Sequence, residues 1–502
     1  MAKLAKIIRN VGTFLGISPK ESQRQRFQRL WFEKYREVKA RYDAAETNAT
    51  NFKHWSRADH LSGNASASPE IRKILRERAR YECENNSYAA GLNLTLAYDL
   101  IGTGPKLQFI HEDAKLGNYI EDAFSEWCIS TRFVEKLIMM KTAFERDGES
   151  FAVMGTNHNS ESPVKLDLKV VETEQVSSPG IRAMEPNATD GIRVDDFNNP
   201  IEYDILKYHP GDIGWSAVFG EYETFPARQV LHFFTPDRPG QLRGVSRMAP
   251  SLELFAQLRR ATLSVMRAFE IAAMIAGVIY TQSSPEEGID AQPFDLVELV
   301  SGSLLTLPES WQMSQFKAEQ PVTTYKMFKD EILSEIGRTR NVPFNVIACR
   351  SDGYNYASGR LDYQIYHRSI RVEQRLWIER IISRVFREWL EEAVLVMPRL
   401  YGHTELLRSR RMFTFDGHEH VDPVKEAQAQ EIRLRNYLTT WQDEFAKAPN
   451  GHRDWQRAFN QLQRELTIIE TMRSVMSSLA PTQEPIVEES EENNGETSSE
   501  TN

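Results

Sequence analysis

Apolar residues recur along the chain at two different intervals, and the switches between them mark out its elements. Phe27, Leu30, Trp31 and Tyr35 repeat at helical spacing among many Arg and Lys, the pattern of a basic amphipathic arm over residues 1–41. Two readings stay open for it: a helix packed on its own domain with its charges solvated, or a contact with nucleic acid or a partner. Gly63 to Pro69 reads as a loop, and Ser68-Pro69-Glu70 then opens a helix through Ile71, Leu75 and Arg78 toward Cys83. Leu92 to Leu100 stays helical and stops at Gly102-Thr103-Gly104-Pro105. Glycine there supplies left-handed backbone angles, and proline cannot continue a helix.

Between about Ser150 and His232 the period shifts toward two, which predicts strands at Phe151 to Met154, Val164 to Val171, Ile201 to Leu206 and Val230 to Phe234. Asn198-Asn199-Pro200 and His209-Pro210-Gly211 supply turns between them. A helical pattern then runs from about Ser246 to Ala276, with Pro250 in its first turn. At 1.5 Å per residue it reaches roughly 45 Å, long enough to act as a strut. The segment from Gly277 to Pro321 predicts short strands at Val278 to Thr281, Leu304 to Leu307 and Trp311 to Phe316. A second helix, Thr323 to Arg340, ends before Pro343, because the residue preceding a proline is pushed out of helical geometry. Two helices flanking a small strand-containing unit make a stalk with a tip. A polar, Tyr-rich stretch from Cys349 to Ala357 follows, then a long helix from about Ser358 to Val396 stopped at Pro398. Pro423 to Ser478 is helical with a break at Pro449 to Gly451, and the acidic tail over 479–502 is expected to be disordered.

Composition narrows the function classes. A chain of 502 residues, 41% hydrophobic and 26% charged, supports a sizeable core and more than one folded, soluble domain. No apolar run approaches the roughly 20 residues that span a bilayer, and the richest stretch, Ala268 to Tyr280, carries Glu270. Lys3 and Lys6 suit a signal peptide, but Arg9 and Asn10 break its apolar region, so no export is expected. Cys83, Cys128 and Cys349 lie far apart, without metal-ligand spacing, and read as thiols in a reducing cytosol. A net charge of -10 argues against a surface that grips nucleic acid throughout, while leaving room for local basic patches or for a surface past which DNA slides.

Motifs that would announce catalysis fail on inspection. Gly102-Thr-Gly-Pro-Lys106 lacks the spacing with which backbone amides wrap phosphate. His418-Glu419-His420 lacks the three- or four-residue interval of ligands on one helix face. Gly244-Val-Ser246 lacks the second glycine of a nucleophile elbow, and Asp195-Asp196 is turn chemistry. No catalytic, cofactor or metal residues are nominated.

A different kind of signal lies in the order of short motifs. Arg41-Tyr-Asp-Ala-Ala45 with Trp55, Arg76-Glu-Arg-Ala-Arg80, Glu84-Asn-Asn-Ser-Tyr-Ala-Ala-Gly91 and Gly102-Thr-Gly104 come first. Then follow Asp147-Gly-Glu149, Ile192 to Pro200, Arg238-Pro-Gly-Gln-Leu-Arg-Gly-Val-Ser246, Asn355-Tyr-Ala-Ser-Gly-Arg360 and Asp422-Pro-Val-Lys-Glu-Ala427. In this order the chain resembles the lambda family of phage portal proteins, from about Tyr42 to Glu465. Ala357 stands where the family usually has Ser, and Pro308-Glu309-Ser310 lacks the family's Gly after the proline.

The resemblance implies an α+β multidomain portal fold that forms rings: a mixed α/β wing, a two-helix stem, a small α/β clip and an α-helical crown. Laid on this chain, the wing is 42–245, the stem helices 246–276 and 322–341, the clip 277–321, the channel loop 342–358, the wing spine and following strands 359–422, and the crown 423–478. It implies a ring of about twelve subunits at one capsid vertex, assembled in the host cytoplasm, through which double-stranded DNA is packaged and ejected. Terminase large subunit, head-tail adaptor, major capsid and scaffold proteins are the implied partners; no membrane, cofactor or catalytic activity is implied. Twelve helices spaced at about 10 Å leave an opening near 28 Å, slightly wider than duplex DNA. Arg350, Asp352, Tyr354, Asn355 and Tyr356 are candidates for DNA contact in the channel loop, with an ordinary buried connection as the alternative. Lys326, Lys329, Arg338 and Arg340, near Asp330, Glu331 and Glu335, read as inter-subunit or channel charges. Arg368, Arg371, Arg375, Arg380, Arg384 and Arg387 read as a solvated or subunit-facing stripe beside an apolar face. The rival classes are a DNA-packaging enzyme (nuclease or ATPase), which would need a nucleotide or metal constellation, and a non-ring capsid adaptor.

Overall fold

The computed structural model describes residues 43–45, 51–178, 187–212, 221–274, 278–281, 311–314, 322–417, 422–447 and 455–479. The basic arm, the strand predicted at Leu304 to Leu307, the His418 to His420 motif and the tail from residue 480 lie outside the described residues. The chain divides into two compact units, Met1–Ser66 and Ala67–Asn502. In the first, the described residues form a 3-10 turn at Asp43–Ala45 and one helical turn at Gly63–Ser66. That turn replaces the predicted loop, because the Ser62 hydroxyl accepts from the Ala65 amide and caps it.

The second unit opens with α1 (Pro69–Asn85), capped by Ser68 as the sequence predicts, and α2 (Ser87–Ile101), which ends at Gly102 with φ +53°. β1 (Lys106–Ile110), α3 (Ala114–Ser130) and α4 (Phe133–Asp147) follow. β2 (Glu149–Thr156), β3 (Leu166–Val171), β4 (Ala188–Thr189), β5 (Ile192–Val194), β6 (Pro200–Leu206), β7 (Tyr222–Pro226) and β8 (Val230–Phe234) make two antiparallel sheets, ordered β3-β2-β8 and β4-β5-β6-β7.

Then comes the first strut helix, α5 (Leu252–Met274), followed by β9 (Val278–Thr281), β10 (Trp311–Ser314) and the second strut helix, α6 (Val322–Arg338). β9 and β10 pair antiparallel, Val278 facing Ser314. The 23 residues of α5 span about 35 Å, less than the expected length. The difference lies at the start: the Ser246 hydroxyl accepts from Met248 N in a tight turn, and Ala249–Ser251 is 3-10 before the α-helix begins.

The segment read as an open loop contains a short helix, α7 (Phe344–Ala348). α8 (Tyr356–Trp377) continues through a π-helical turn at Ile378–Ile382 into α9 (Ser383–Val396), and the chain leaves the helix at Met397 before Pro398. β11 (Arg410–Thr414) pairs antiparallel with β1. α10 (Pro423–Arg435), α11 (Trp441–Lys447) and α12 (Trp455–Leu479) complete the described chain. The break predicted at Pro449 to Gly451 lies outside the described residues, and the interruption at residues 436–440, between α10 and α11, was not foreseen.

Three apolar cores hold the unit. An aromatic cluster of Phe124, Trp127, Phe133, Phe386, Trp389 and Phe413 joins α3 and α4 to α9 and β11. Phe151, Val176, Ile192, Tyr203, Ile205 and Val230 fill the space between the two sheets. The third core is the root of the struts, where Leu92 and Leu96 of α2 meet Phe255 and Leu258 of α5, Leu333 and Ile336 of α6, and Tyr366 and Ile370 of α8.

Candidate functional site

The root of the struts is also where the short motifs converge. α4 ends at Asp147, the chain turns at Gly148 with φ +93°, and β2 begins at Glu149. Gly148 has two reasons to be glycine: its positive φ, and a Cβ built there would lie 2.1 Å from the carbonyl carbon of Val245. A Cβ on Gly244 would lie 2.2 Å from the Gly148 oxygen. The Asp147-Gly-Glu149 and Arg243-Gly-Val-Ser246 motifs therefore cross backbone against backbone.

Charge locks that crossing. Glu149 is fully buried and accepts from Arg243 Nη2 (2.8 Å) and Nε (3.0 and 3.1 Å), the Gly244 amide (2.8 Å) and His232 Nε2 (3.3 Å). Arg243 spends its other donors on the carbonyls of Thr173 and Val176 and on Asp190. Burial would raise the Glu149 carboxyl, but Arg243 and His232 outweigh it and hold the group well below the carboxylate range. Burial pushes His232 below its ordinary value despite its bond to Glu149. Along one face of α1, Arg72 pairs with Asp190, Arg76 with Glu174 (3.0 Å), and Arg80 with Asp147 (3.0 Å) and Glu174 (2.9 Å). Ser246 Oγ donates to the Arg146 carbonyl at 2.6 Å. The first strut is thereby fixed to α1, α4 and both sheets before its first helical turn.

From the root outward the struts lean on one another. The Thr262 and Tyr325 hydroxyls meet at 2.9 Å, and Arg259 reaches back to Glu82 at 2.8 Å. Beyond Leu258, Leu263, Met266 and Phe269 of α5 are exposed, as are Met327 and Phe328 of α6. Leu361, Ile365 and Val372 of α8 are also exposed.

Of the residues read as a channel loop, Arg350 and Asp352 lie against α6. Arg350 pairs with Asp330 (2.6 Å) and with Asp352, and lies over the Phe344 ring; Lys326 reaches Asp352 at 2.7 Å. Asn355 caps α8 by accepting from the Ser358 amide, and the Ser358 hydroxyl bonds back to it. Tyr354 is partly buried, and the Tyr356 side chain lies outside the described atoms. Arg350, Asp352 and Asn355 reach the surface of the protomer, while Val342, Asn345 and Ile347 of the same segment are buried.

The four stem charges find partners inside the chain. Lys326 pairs with Asp352, Lys329 lies 4.9 Å over the Tyr88 ring, and Arg338 donates to Asn341 Oδ1. Arg340 corrects the sequence reading: only 4% exposed, it donates to Asn93 Oδ1 and meets Glu145 at 3.3 Å, so it serves the interior. In the spine, Trp377 and Ile381 are buried as predicted, but the arginine stripe divides. Arg375 and Arg387 pair with Glu379 and Glu391 at the surface, whereas Arg380 and Arg384 donate to carbonyls of Phe234, Ala227 and Arg228.

Sequence reasoning missed the trio Glu172, Glu174 and His209, whose ligand atoms approach one another closely enough for a single ion. Arg80 Nη2 already stands 2.9 Å from Glu174 and 3.5 Å from Glu172, so a guanidinium fills the cationic role. No described helix is long and apolar enough to cross a membrane.

The chain is similar to known proteins. A probable portal protein of Halomonas phage phiHAP-1 is 22% identical over 428 residues, 78% of this chain and 80% of that protein. Among solved structures, a chain of the native gene transfer agent virion is similar at 12% identity and TM-score 0.42, over 74% of this chain and 93% of that one. A chain in the neck of the empty gene transfer agent particle is similar at 12% identity and TM-score 0.41, over 71% and 88%. The phage portal protein family of lambda type matches residues 14–374. That span starts before and ends before the one read from the motifs, leaving Asp422 to Ala427 outside it. It takes in the clasped Asp147-Gly-Glu149 and Arg243-Gly-Val-Ser246 crossing, both struts and the channel-loop segment, and this chain belongs to the lambda family of phage portal proteins.

Proposed function

We propose that the protein closes into a ring of about twelve subunits at one capsid vertex, struts toward the axis, and that duplex DNA passes through it during packaging and ejection. The observation that carries this reading is the apolar face of the strut pair. Leu263, Met266, Phe269, Met327 and Phe328 stand exposed on two helices whose root is otherwise well packed. Large apolar side chains left exposed together on a helix pair suit an interaction site, and one heterologous contact repeated by rotation closes a ring. In this reading the segment 277–321 is the tip that receives terminase and later a head-tail adaptor, residues 42–245 meet capsid and scaffold protein, and no catalytic step belongs to the chain.

The balanced charges of the loop favour passage over capture. Arg350 is neutralised by Asp330 and Asp352, so the loop offers polar contact without the surplus positive charge that would add salt-dependent affinity and friction. The direct experiment places charge on the strut face, Met266→Glu with Met327→Glu. Native mass spectrometry and negative-stain microscopy should show loss of rings with an unchanged circular dichroism spectrum. Rings that persist in this variant, or a wild-type chain that never forms them, would refute the proposal. The loop is tested by Arg350→Ala, Tyr354→Ala and Tyr356→Ala together, for which normal packaging and genome retention would count against DNA contact.

A further inference from the structure

At the strut root lies a cavity of about 170 Å³, lined by Glu145, Thr235, Arg247, Arg340, Ser369 and Glu373 among others. It has room for more than the ~10–15 Å³ that a single water requires. Its lining sets Arg247 and Arg340 against Glu145 and Glu373, and Lys141, outside the lining, stands against both carboxylates. Lys141 bridges Glu145 (2.5 Å) and Glu373, while Arg340 (3.3 Å) and Arg247 (3.7 Å) both approach Glu145 Oε2. Three cations thus meet two carboxylates, a surplus of one positive charge.

The surplus is localised. Arg340 Nη1 has its partner in Asn93, but Nε and Nη2 of the same guanidinium are buried without a hydrogen-bond partner. A buried donor without an acceptor costs about 1–3 kcal/mol, and more when charged. Burial pulls the Arg340 guanidinium below its ordinary value, the direction expected of a cation short of negative charge. Adjacent Nε and Nη2 donors form the planar fork that matches two oxygens of one oxyanion, and the hydroxyl of Thr235 can donate to a third; the Ser369 hydroxyl is already given to the Tyr366 carbonyl at 2.7 Å. Arg247 is about one-third exposed, which leaves that side open to exchange with solvent.

The geometry points to a binding site for a small tetrahedral oxyanion, of the phosphate or sulfate class, held by Arg340 and Arg247 where α4, α6 and α8 meet. The bound ion would tie the ends of the struts to the body of the protomer. The inference is independent of ring assembly.

The test uses the full-length purified chain. Its thermal midpoint is followed in inorganic phosphate, sulfate and chloride at matched ionic strength and pH, and equilibrium dialysis with radiolabelled phosphate counts the ions bound. The expected result is a saturable rise in midpoint with phosphate and sulfate but not chloride, and close to one phosphate per chain. Arg340→Lys removes the fork and should weaken apparent phosphate affinity at least tenfold. Because that variant can also unfold, Ser369→Glu is the second: it places a carboxylate in the cavity, and should fold yet lose the phosphate response. Equal midpoints in all three salts without bound phosphate would mean that the cavity holds water only. A Ser369→Glu chain with the full wild-type response would place the ion elsewhere. Either result overturns the inference.

Discussion

Replacing Glu149 by glutamine keeps its shape and removes its charge, and so asks how much of the protomer hangs on the motif crossing. Glutamine offers one oxygen to the donors that now share two, and turns an NH2 group toward the N–H groups of Arg243 or Gly244. Arg243 cannot compensate by moving into water, because its side chain is 1% exposed. Removing one partner of such a buried pair costs about 3–5 kcal/mol, which is two to four powers of ten in the folding equilibrium. The exposed pair Arg387–Glu391, broken by Glu391→Gln, sets the scale at about 0–0.5 kcal/mol. The assay is urea unfolding followed by tryptophan fluorescence, at one protein concentration for every variant, since assembly adds its own free energy. Arg243→Met completes a double-mutant cycle, and it carries a separate cost because the Val176 carbonyl loses the Arg243 donor while that of Thr173 keeps only the Val176 amide. The expected coupling between positions 149 and 243 is at least ~2 kcal/mol. A coupling below about 0.5 kcal/mol, or a Glu149→Gln cost no larger than that of the surface pair, would show that the ion network is not what holds the crossing.

Three further outcomes follow from the same geometry. Gly148→Ala should lower the soluble fraction sharply, since its methyl would sit 2.1 Å from a backbone carbon and the cost exceeds the ~1 kcal/mol of a left-handed residue alone. Trp389→Ala, which empties a site 1% exposed among Phe124 and Phe386, should cost about 3–5 kcal/mol in the same urea assay. Acidification should destabilise the fold in two stages. The native pKa of His232 lies below its ordinary 6.5, so below pH 6.5 the unfolded chain binds a proton that the native chain refuses. Glu149 adds a second loss below its ordinary 4.5 for the same reason, and His232→Gln should flatten the slope between pH 6.5 and 4.5.

Where local pattern decides the element, the sequence was legible. The Ser68 cap, the Gly102 stop, the β9 strand and the stop at Pro398 depend on neighbours in the chain, and they stand where the pattern places them. What was hidden depends on partners far away. β1 and β11 are short and pair across some three hundred residues, so neither carries a strong signal alone. The two amphipathic helices α3 and α4 carry a clear apolar face that could have revealed them, in Ile120, Phe124 and Trp127 and in Leu137, Met140 and Phe144. The mixed signs along 323–340 group Arg340 with Lys326, Lys329 and Arg338 as an inter-subunit or channel charge; only the return of α2 and α4 over it supplies Asn93 and Glu145 and makes it interior. The family motifs were recognised as words before their meaning was visible, since Arg80, Asp147, Glu149 and Arg243 touch only after folding.

Direction explains why ions are placed at this crossing. Apolar contact is insensitive to angle, and among the described side chains of α5 the buried apolar core ends at Leu258. A tilt of about 10° at its base would move the far end of a ~35 Å helix by about 6 Å, more than half the ~10 Å between neighbouring helices in a ring. An arginine fork engaged with a carboxylate, the carbonyls of Thr173, Val176 and Asp190 and a second acid tolerates little rotation. Glu149→Asp separates the two roles, because it keeps the charge and withdraws it by one methylene. The expected outcome is a chain that remains folded by circular dichroism while ring closure, read by native mass spectrometry, falls sharply. Normal rings in that variant would mean that the apolar root alone aims the strut.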